Sequence, residues 1–117
     1  MRANLNQYKR LKGKSENTGC IEVHNLRIEA KSHRVFKNGE EIKLSNREFM
    51  LLLFLAQNPN IVFSKDQLFE KIWGLDYMGD NATVMVHIKR TREKIEENPS
   101  EPRFIETVWG AGYRFNV

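Results

Sequence analysis

The residues best suited to chemistry in this sequence are cationic side chains in its last third. Residues 82–92 contain no acid and carry four basic or titratable residues, His87, Lys89, Arg90 and Arg92. Residues 93–101 hold four glutamates and a single lysine. Because lysine and arginine bind phosphate oxygens, a helix with this charge distribution would suit a polyanion at its start and repel one at its end. The alternative, a solvated amphipathic helix with a chance distribution of charge, stays open on these residues alone.

A helix over this segment would separate the cations from an apolar seam. At about 100° per residue, one side collects four residues expected to face the core, namely Val84, Ile88, Thr91 and Ile95. The opposite side collects Val86, Lys89 and Arg90. An arginine there can donate two hydrogen bonds to guanine O6 and N7, and a small apolar side chain can meet a thymine methyl group. DNA binding needs such a helix, with its N-terminal half in the major groove.

No catalytic or metal-binding set accompanies this helix. The cysteine and the three histidines, which are the candidate nucleophile and bases, lie in separate segments of the chain (Cys20, His24, His33 and His87). Their spacing is not typical of a nucleophile, a base and an orienting group. Gly110 and Gly112 lack the third glycine and the following helix of a phosphate-binding loop. The many Asp and Glu residues are expected at the surface. We expect neither an enzyme nor a bound metal or cofactor.

Length and composition narrow the remaining classes of protein. The 117 residues suffice for one domain, and 40% apolar residues suffice for one core. The net charge of +4 arises within residues 1–20, which hold five basic residues and one acid, so residues 21–117 are neutral overall. No apolar run approaches the ~20 residues of a membrane helix, and the N-terminus lacks a secretory signal. With one cysteine, the sequence is typical of a reduced, cytoplasmic protein. Without a heptad seam, the isolated domain is expected to be a monomer.

Short apolar alternations at both ends of the chain predict strands. Residues 21–44 favour an antiparallel sheet of three or four strands, and Asn38-Gly39 within it favours a type I′ turn because both residues tolerate positive φ. Residues 104–108 and 113–117 flank Trp-Gly-Ala-Gly and predict a second hairpin.

Three helices are predicted between the strands. Ser45 with Glu48, and Ser64 with Gln67, have the spacing of capping boxes and predict the first two helix starts. Asp80 or Asn81 can cap the third helix, which is expected to run to about Asn98, before a proline.

Four blocks in this order resemble the C-terminal effector domain of OmpR/PhoB-type two-component response regulators. They are L-S-N-R-E-F-M-L-L (44–52), S-K-D-Q-L-F-E-K-I-W-G (64–74), T-V-M-V-H-I-K-R-T-R-E-K-I (83–95) and T-V-W-G-A-G-Y-R-F (107–115). The resemblance covers about residues 21–117. It implies an α+β winged helix-turn-helix, in which the third helix reads the major groove and the C-terminal hairpin is a wing over the minor groove. Residues 1–20 look like the end of the last receiver-domain helix followed by an interdomain linker, so a fragment is expected.

The resemblance also implies roles for individual residues. Residues expected at phosphates or the DNA backbone are Thr83, His87, Lys89, Arg92 and Thr107, whereas Val86 and Arg90 would face base edges. His87 and Arg92 lie beside the seam, so packing or ion-pair roles remain open for both. The loop after the second helix would contact RNA polymerase through Leu75, Asp76, Tyr77 and Met78, although Tyr77 and Met78 would equally cover the helix junction. The implied partners are double-stranded DNA with direct repeats, RNA polymerase, an upstream receiver and a sensor kinase.

Four positions depart from the family pattern. Trp109 stands where many members have the minor-groove arginine, so the wing contact at this position is in question. Ala82 and Met85 replace a common arginine and a common aspartate, and Thr91 replaces a leucine of the seam. A buried Thr91 hydroxyl can bond the carbonyl four residues earlier. Because residues 21–117 are neutral and the wing carries Trp109, an alternative function is a winged-helix module that contacts RNA polymerase and has weak or vestigial DNA affinity.

Overall fold

The computed structural model describes residues 19–74 and 79–117. Its elements follow the predicted order of sheet, three helices and hairpin, which confirms the α+β winged helix-turn-helix class. In chain order they are β1 (Cys20–Val23), β2 (Leu26–Glu29), β3 (Arg34–Lys37), β4 (Glu40–Ile42), α1 (Asn46–Gln57), β5 (Val62–Phe63), α2 (Lys65–Ile72), α3 (Ala82–Ile95), β6 (Ile105–Val108) and β7 (Gly112–Phe115). The predicted linker lies outside the described residues apart from Gly19 and Cys20, and Cys20 is already the first residue of β1.

The N-terminal sheet is antiparallel and keeps the strands in sequence order, β1-β2-β3-β4. Asn38 and Gly39 have φ values of 55° and 84°, so the turn between β3 and β4 has the positive φ angles of the predicted type I′ conformation. Leu26, Ile28 and Val35 are buried beneath the sheet. Their alternation with exposed residues explains why this segment forms strands with one face on the core.

Both predicted capping boxes are present. At α1 the Ser45 hydroxyl accepts from the Glu48 N–H (3.2 Å), and the Glu48 carboxylate accepts from the Ser45 N–H (3.0 Å). At α2 the Ser64 hydroxyl accepts from the Gln67 N–H (3.0 Å), and Gln67 Oε1 accepts from the Ser64 N–H (2.8 Å). Both helices thus begin where local chemistry satisfies their first free N–H groups.

The third helix begins with Asp80 as its side-chain cap. The Asp80 carboxylate accepts a 3.1 Å hydrogen bond from the Ala82 N–H, whereas the Asn81 side chain makes no capping bond. Asn81 instead donates to the Asp66 carboxylate in the first turn of α2 (2.5 Å). One polar contact therefore joins the starts of the two helices.

The expected end of the third helix near Asn98 is wrong, because α3 ends at Ile95. Glu96 is extended and only 3% exposed. Its carboxylate accepts the backbone N–H groups of Arg103, Phe104 and Ile105 at 2.7 to 3.1 Å. The expectation that glutamates lie at the surface fails here, since three donors compensate the buried carboxylate and turn the chain towards β6.

The C-terminal sheet contains a strand that sequence reasoning missed. β6 and β7 pair as the predicted hairpin, over a shorter range than expected, and β5 pairs with β7 through Val62 and Phe63. A Cβ atom on Gly112 would lie 2.0 Å from the carbonyl oxygen of Phe63, so only glycine allows this approach. The hairpin is consequently joined, close to its turn, to the segment that leads into α2.

One core lies between the two sheets and the helices. Its fully buried large residues come from every layer: Leu26, Ile28, Leu51, Leu52, Leu55, Leu68, Ile88, Ile95, Ile105 and Phe115. Within residues 19–74 and 79–117, none of the helices has the length and apolar character needed to cross a membrane.

Candidate nucleic-acid interface

Helix α3 has two chemically distinct sides, as the sequence predicts. Val84, Ile88, Thr91 and Ile95 are all at most 1% exposed, and they form the seam on the core. Met85 and Val86 are 47% and 45% exposed, and Lys89 and Arg90 are exposed beside them. We call the four exposed residues Met85, Val86, Lys89 and Arg90 the α3 face.

The buried threonine of the seam is satisfied within the helix. The Thr91 hydroxyl donates a 2.7 Å hydrogen bond to the carbonyl oxygen of His87, the residue four positions earlier. This confirms the expected contact, and it explains how a hydroxyl occupies a position with no solvent exposure.

The described residues offer no acidic partner to the cations of the α3 face. Within the described part of the chain, neither Lys89 nor Arg90 forms an ion pair. The next lysine of the helix, Lys94, is bound to Glu48 at 2.8 Å. The α3 face therefore presents two cations and two apolar side chains, a set that can bind phosphates and contact base edges.

His87 is half-buried and packs against the end of α2. Its Nδ1 lies 2.9 Å from the carbonyl oxygen of Thr83, and its ring packs edge-on against Trp73 with centroids 5.0 Å apart. Thr83 is half-buried in the first turn of α3. Nδ1 of His87 is thus engaged within the helix, which fits the packing role left open by the sequence.

Arg92 joins α3 to the wing. Its Nε and Nη2 atoms donate to the carbonyl oxygen of Ile105 at 3.0 and 2.8 Å, and Nη2 also donates to the Thr107 hydroxyl at 2.7 Å. The guanidinium lies 5.7 Å from the centre of the Tyr113 ring. Burial lowers the pKa of Arg92 and raises that of Tyr113. Two residues that the sequence placed at the DNA backbone, Arg92 and Thr107, therefore contact each other.

The wing ends in an exposed tryptophan. Trp109 is 90% exposed, and the turn that carries it is closed by a 2.9 Å hydrogen bond from the Ala111 N–H to the Val108 carbonyl oxygen. Arg114, the cation nearest to the tip in sequence, is bound to Glu106. The arrangement leaves a neutral aromatic side chain at the tip.

Comparison with known proteins identifies the type of domain. The family described as "Transcriptional regulatory protein, C terminal" matches residues 39–115. The chain belongs to this family. Its fold resembles the response regulator DrrB, an OmpR/PhoB homologue from Thermotoga maritima, with a TM-score of 0.81 and 38% identity over 89% of this chain and 47% of that one.

Further similarities support the same assignment. The Klebsiella pneumoniae RstA DNA-binding domain, solved in complex with the RstA box, has a TM-score of 0.75 and 33% identity over 83% of this chain and 96% of that one. SphR of Synechococcus elongatus is 45% identical over 100 residues, which are 86% of this chain and 39% of that protein. SrrA of Staphylococcus aureus is 43% identical over 98 residues, which are 83% of this chain and 41% of that protein. This OmpR/PhoB-type DNA-binding domain thus spans about two fifths of the length of these curated relatives.

The structure of this OmpR/PhoB-type domain places one more cation beside the α3 face, which sequence reasoning missed. Lys65, the first residue of α2, is exposed, and its Nζ lies 3.8 Å from the sulfur of Met85. A third cation is therefore adjacent to the α3 face. The capping box at Ser64 places Lys65 at the start of α2, but only the packing of the two helices brings it next to Met85.

One further site is predicted from the sequence, the loop after the second helix. The loop residues assigned to polymerase contact, Leu75, Asp76, Tyr77 and Met78, are outside the described residues. In the described part of the chain, no three residues of the metal-ligating types come together in a group that could hold a metal ion.

Proposed function

We propose that this domain binds double-stranded DNA sequence-specifically, with α3 in the major groove and the wing near the minor groove. The observation that carries the proposal is the α3 face, where Lys89 and Arg90 are exposed and form no ion pair with any described residue, while the seam of the same helix is buried. RstA, whose DNA-binding domain has the same fold, was solved with its DNA box.

Three side chains of the α3 face have separate proposed roles. Arg90 donates to a guanine edge, and Val86 contacts a thymine methyl group. Lys89 binds a phosphate, and Lys65 binds another from the start of α2. Thr83, His87, Arg92 and Thr107 remain proposed backbone contacts, the last two as a connected pair.

The partners of the longer protein are part of the proposal. We infer that direct repeats in DNA are the target, and that an upstream receiver controlled by a sensor kinase regulates the domain. Residues 75–78 are proposed to contact RNA polymerase. These roles follow from the resemblance to OmpR/PhoB-type regulators, of which this chain matches the C-terminal part.

Selection of bound duplexes from a random pool, followed by fluorescence anisotropy on those duplexes, tests the proposal. Arg90→Ala is expected to cost roughly 1–3 kcal/mol at one base position and to relax the preference there. Lys89→Ala is expected to weaken all duplexes alike and to reduce the salt slope by about 0.9. Arg34→Ala, which removes an equal charge from the N-terminal sheet, is the matched control. If Arg90→Ala and Arg34→Ala changed duplex affinity and base preference equally, the proposal that α3 reads the bases would be wrong.

A second candidate function is a protein-interaction module that contacts RNA polymerase. The exposed Trp109 and the neutral charge of residues 21–117 favour it. DNA affinity should fall linearly with the logarithm of salt concentration, by about 0.9 per phosphate neutralised. A flat salt response on every duplex, together with tight binding to a polymerase subunit, would support this second function instead.

A further inference from the structure

Trp109 is the most exposed of the large apolar side chains in the described part of the domain. It is 90% exposed, whereas the other tryptophan, Trp73, is 8% exposed and belongs to the core. Within residues 19–74 and 79–117, the Trp109 indole has no ring or cation partner. Burial of an aromatic ring of this size is strongly favourable, so a ligand that covers the exposed indole gains binding free energy.

The wing holds the backbone at Trp109 in a defined place. Gly112, three residues later, packs against the Phe63 carbonyl, and Arg92 binds Thr107, two residues earlier. The strands that flank the turn are thus joined to β5 on one side and to α3 on the other. The backbone that carries Trp109 is therefore positioned before binding, which limits the entropy lost when a ligand covers the side chain.

The charge of the wing determines which part of a duplex the tip can contact. Glu106 accepts a 2.6 Å hydrogen bond from Arg114, and Asn116 donates to the same carboxylate oxygen at 3.2 Å. Arg92 is bound to Ile105 and Thr107. Among the described wing residues, no cation is free for a phosphate. The tip can contribute through apolar contact with sugars and base edges, but it cannot contribute charge.

We propose that Trp109 is an apolar wedge that enters the minor groove and selects a deformable base step beside the bases read by α3. The inference rests on the proposed DNA binding. Apolar side chains in the minor groove partly unstack a step, and pyrimidine–purine steps unstack and kink most easily. The wing therefore favours a TA or CA step at its position and disfavours an A-tract, without a hydrogen bond to any base.

Two measurements test the wedge on duplexes recovered by selection with the unaltered chain. The first compares duplexes that differ only at the wing step, TA against AA, by anisotropy. We expect a preference of roughly tenfold for TA, and its loss in Trp109→Ala. Trp109→Arg is expected to lose the step preference and to neutralise one more phosphate. The dependence of log affinity on log salt concentration should then steepen by about 0.9.

The second measurement reads the indole directly. The difference in tryptophan emission between the unaltered chain and Trp109→Phe reports Trp109 alone, because Trp73 contributes equally to both. We expect this difference signal to be quenched by the TA duplex and much less by the AA duplex. Thermal unfolding should show equal midpoints for the unaltered chain, Trp109→Phe and Trp109→Ala, because the side chain is solvent-exposed.

The outcomes separate the wedge from DNA binding itself. If Trp109→Ala retains both the step preference and the affinity, the wedge is wrong while the proposed function stands. If the Trp109 signal changes on addition of RNA polymerase but not of any duplex, a protein is the partner of the tip. If no duplex is bound by the unaltered chain, the proposed function fails, and the wedge fails with it.

Discussion

Nη2 of Arg92 donates a 2.7 Å hydrogen bond to the Thr107 hydroxyl and so joins α3 to the first strand of the wing. The same guanidinium also binds the Ile105 carbonyl oxygen and lies over the Tyr113 ring. One side chain of α3 therefore contacts both strands of the wing.

Arg92→Ala and Thr107→Val are expected to be coupled. Arg92→Ala leaves the buried Ile105 carbonyl without this donor and should cost about 1–3 kcal/mol, whereas Thr107→Val should cost about 1 kcal/mol. In urea unfolding, the double variant should lose less stability than the two single variants added together. Simple additivity would mean that the Arg92–Thr107 contact contributes nothing to the free energy of unfolding.

Glu96→Ala is expected to destabilise the domain strongly, because three backbone N–H groups donate to its carboxylate. The loss should be about 3 kcal/mol or more, measured by urea unfolding. The adjacent, exposed Glu97 provides the matched control, and Glu97→Ala should change stability by no more than about 0.5 kcal/mol. A similar effect of the two substitutions would contradict the buried role of Glu96.

The ion pair between Glu48 and Lys94 makes stability depend on pH. Burial raises the pKa of Glu48, but hydrogen bonds from Lys94 and from the Ser45 N–H outweigh burial and hold the pKa below its ordinary value of 4.5. The native state then binds fewer protons than the unfolded state. The contribution of Glu48 is complete above the ordinary pKa and is lost as pH falls through the lowered value.

Lys94→Met tests this dependence through urea unfolding at neutral and at acidic pH. The unaltered domain should lose stability on acidification. Lys94→Met should lose clearly less, because burial then raises the pKa of Glu48 while the hydrogen bond from Lys94 that lowers it is absent. Lys89→Met removes an exposed lysine of the same helix and should leave the pH dependence as it is. A parallel change in both variants would show that general charge, and not the Glu48 pair, is responsible.

Gly112→Ala is expected to prevent the wing from docking on β5. The added Cβ would lie 2.0 Å from the Phe63 carbonyl oxygen, a backbone atom that cannot move away easily. The loss of stability should exceed about 3 kcal/mol. Gly110→Ala meets no atom within 4 Å and should cost only about 1–2 kcal/mol of backbone strain. Equal midpoints in thermal unfolding would mean that β5 is not packed as described.

Local chemistry made much of the fold predictable from the sequence. The capping boxes at Ser45 and Ser64 act within one turn, and the seam of α3 follows from helical periodicity alone. The outward direction of Val86, Lys89 and Arg90 follows from the same periodicity. These features need no knowledge of distant segments.

The features that sequence reasoning missed depend on partners far away in the chain. β5 has only two residues, and it is a strand because β7, some fifty residues later, supplies its hydrogen bonds. Glu96 ends α3 because Arg103 to Ile105 offer three donors, which no local pattern reveals. Lys65 approaches the α3 face only through the packing of α2 on α3.

The division of α3 into a buried seam and an exposed face separates two properties of the domain. Met85, Val86 and Arg90 are exposed and lie outside the core, so substitutions there should cost little in folding. Under the DNA binding proposed above, descendants of one ancestral gene would diverge in the sequences they recognise while keeping the same thermal tolerance. Redesign of the α3 face would have the same freedom.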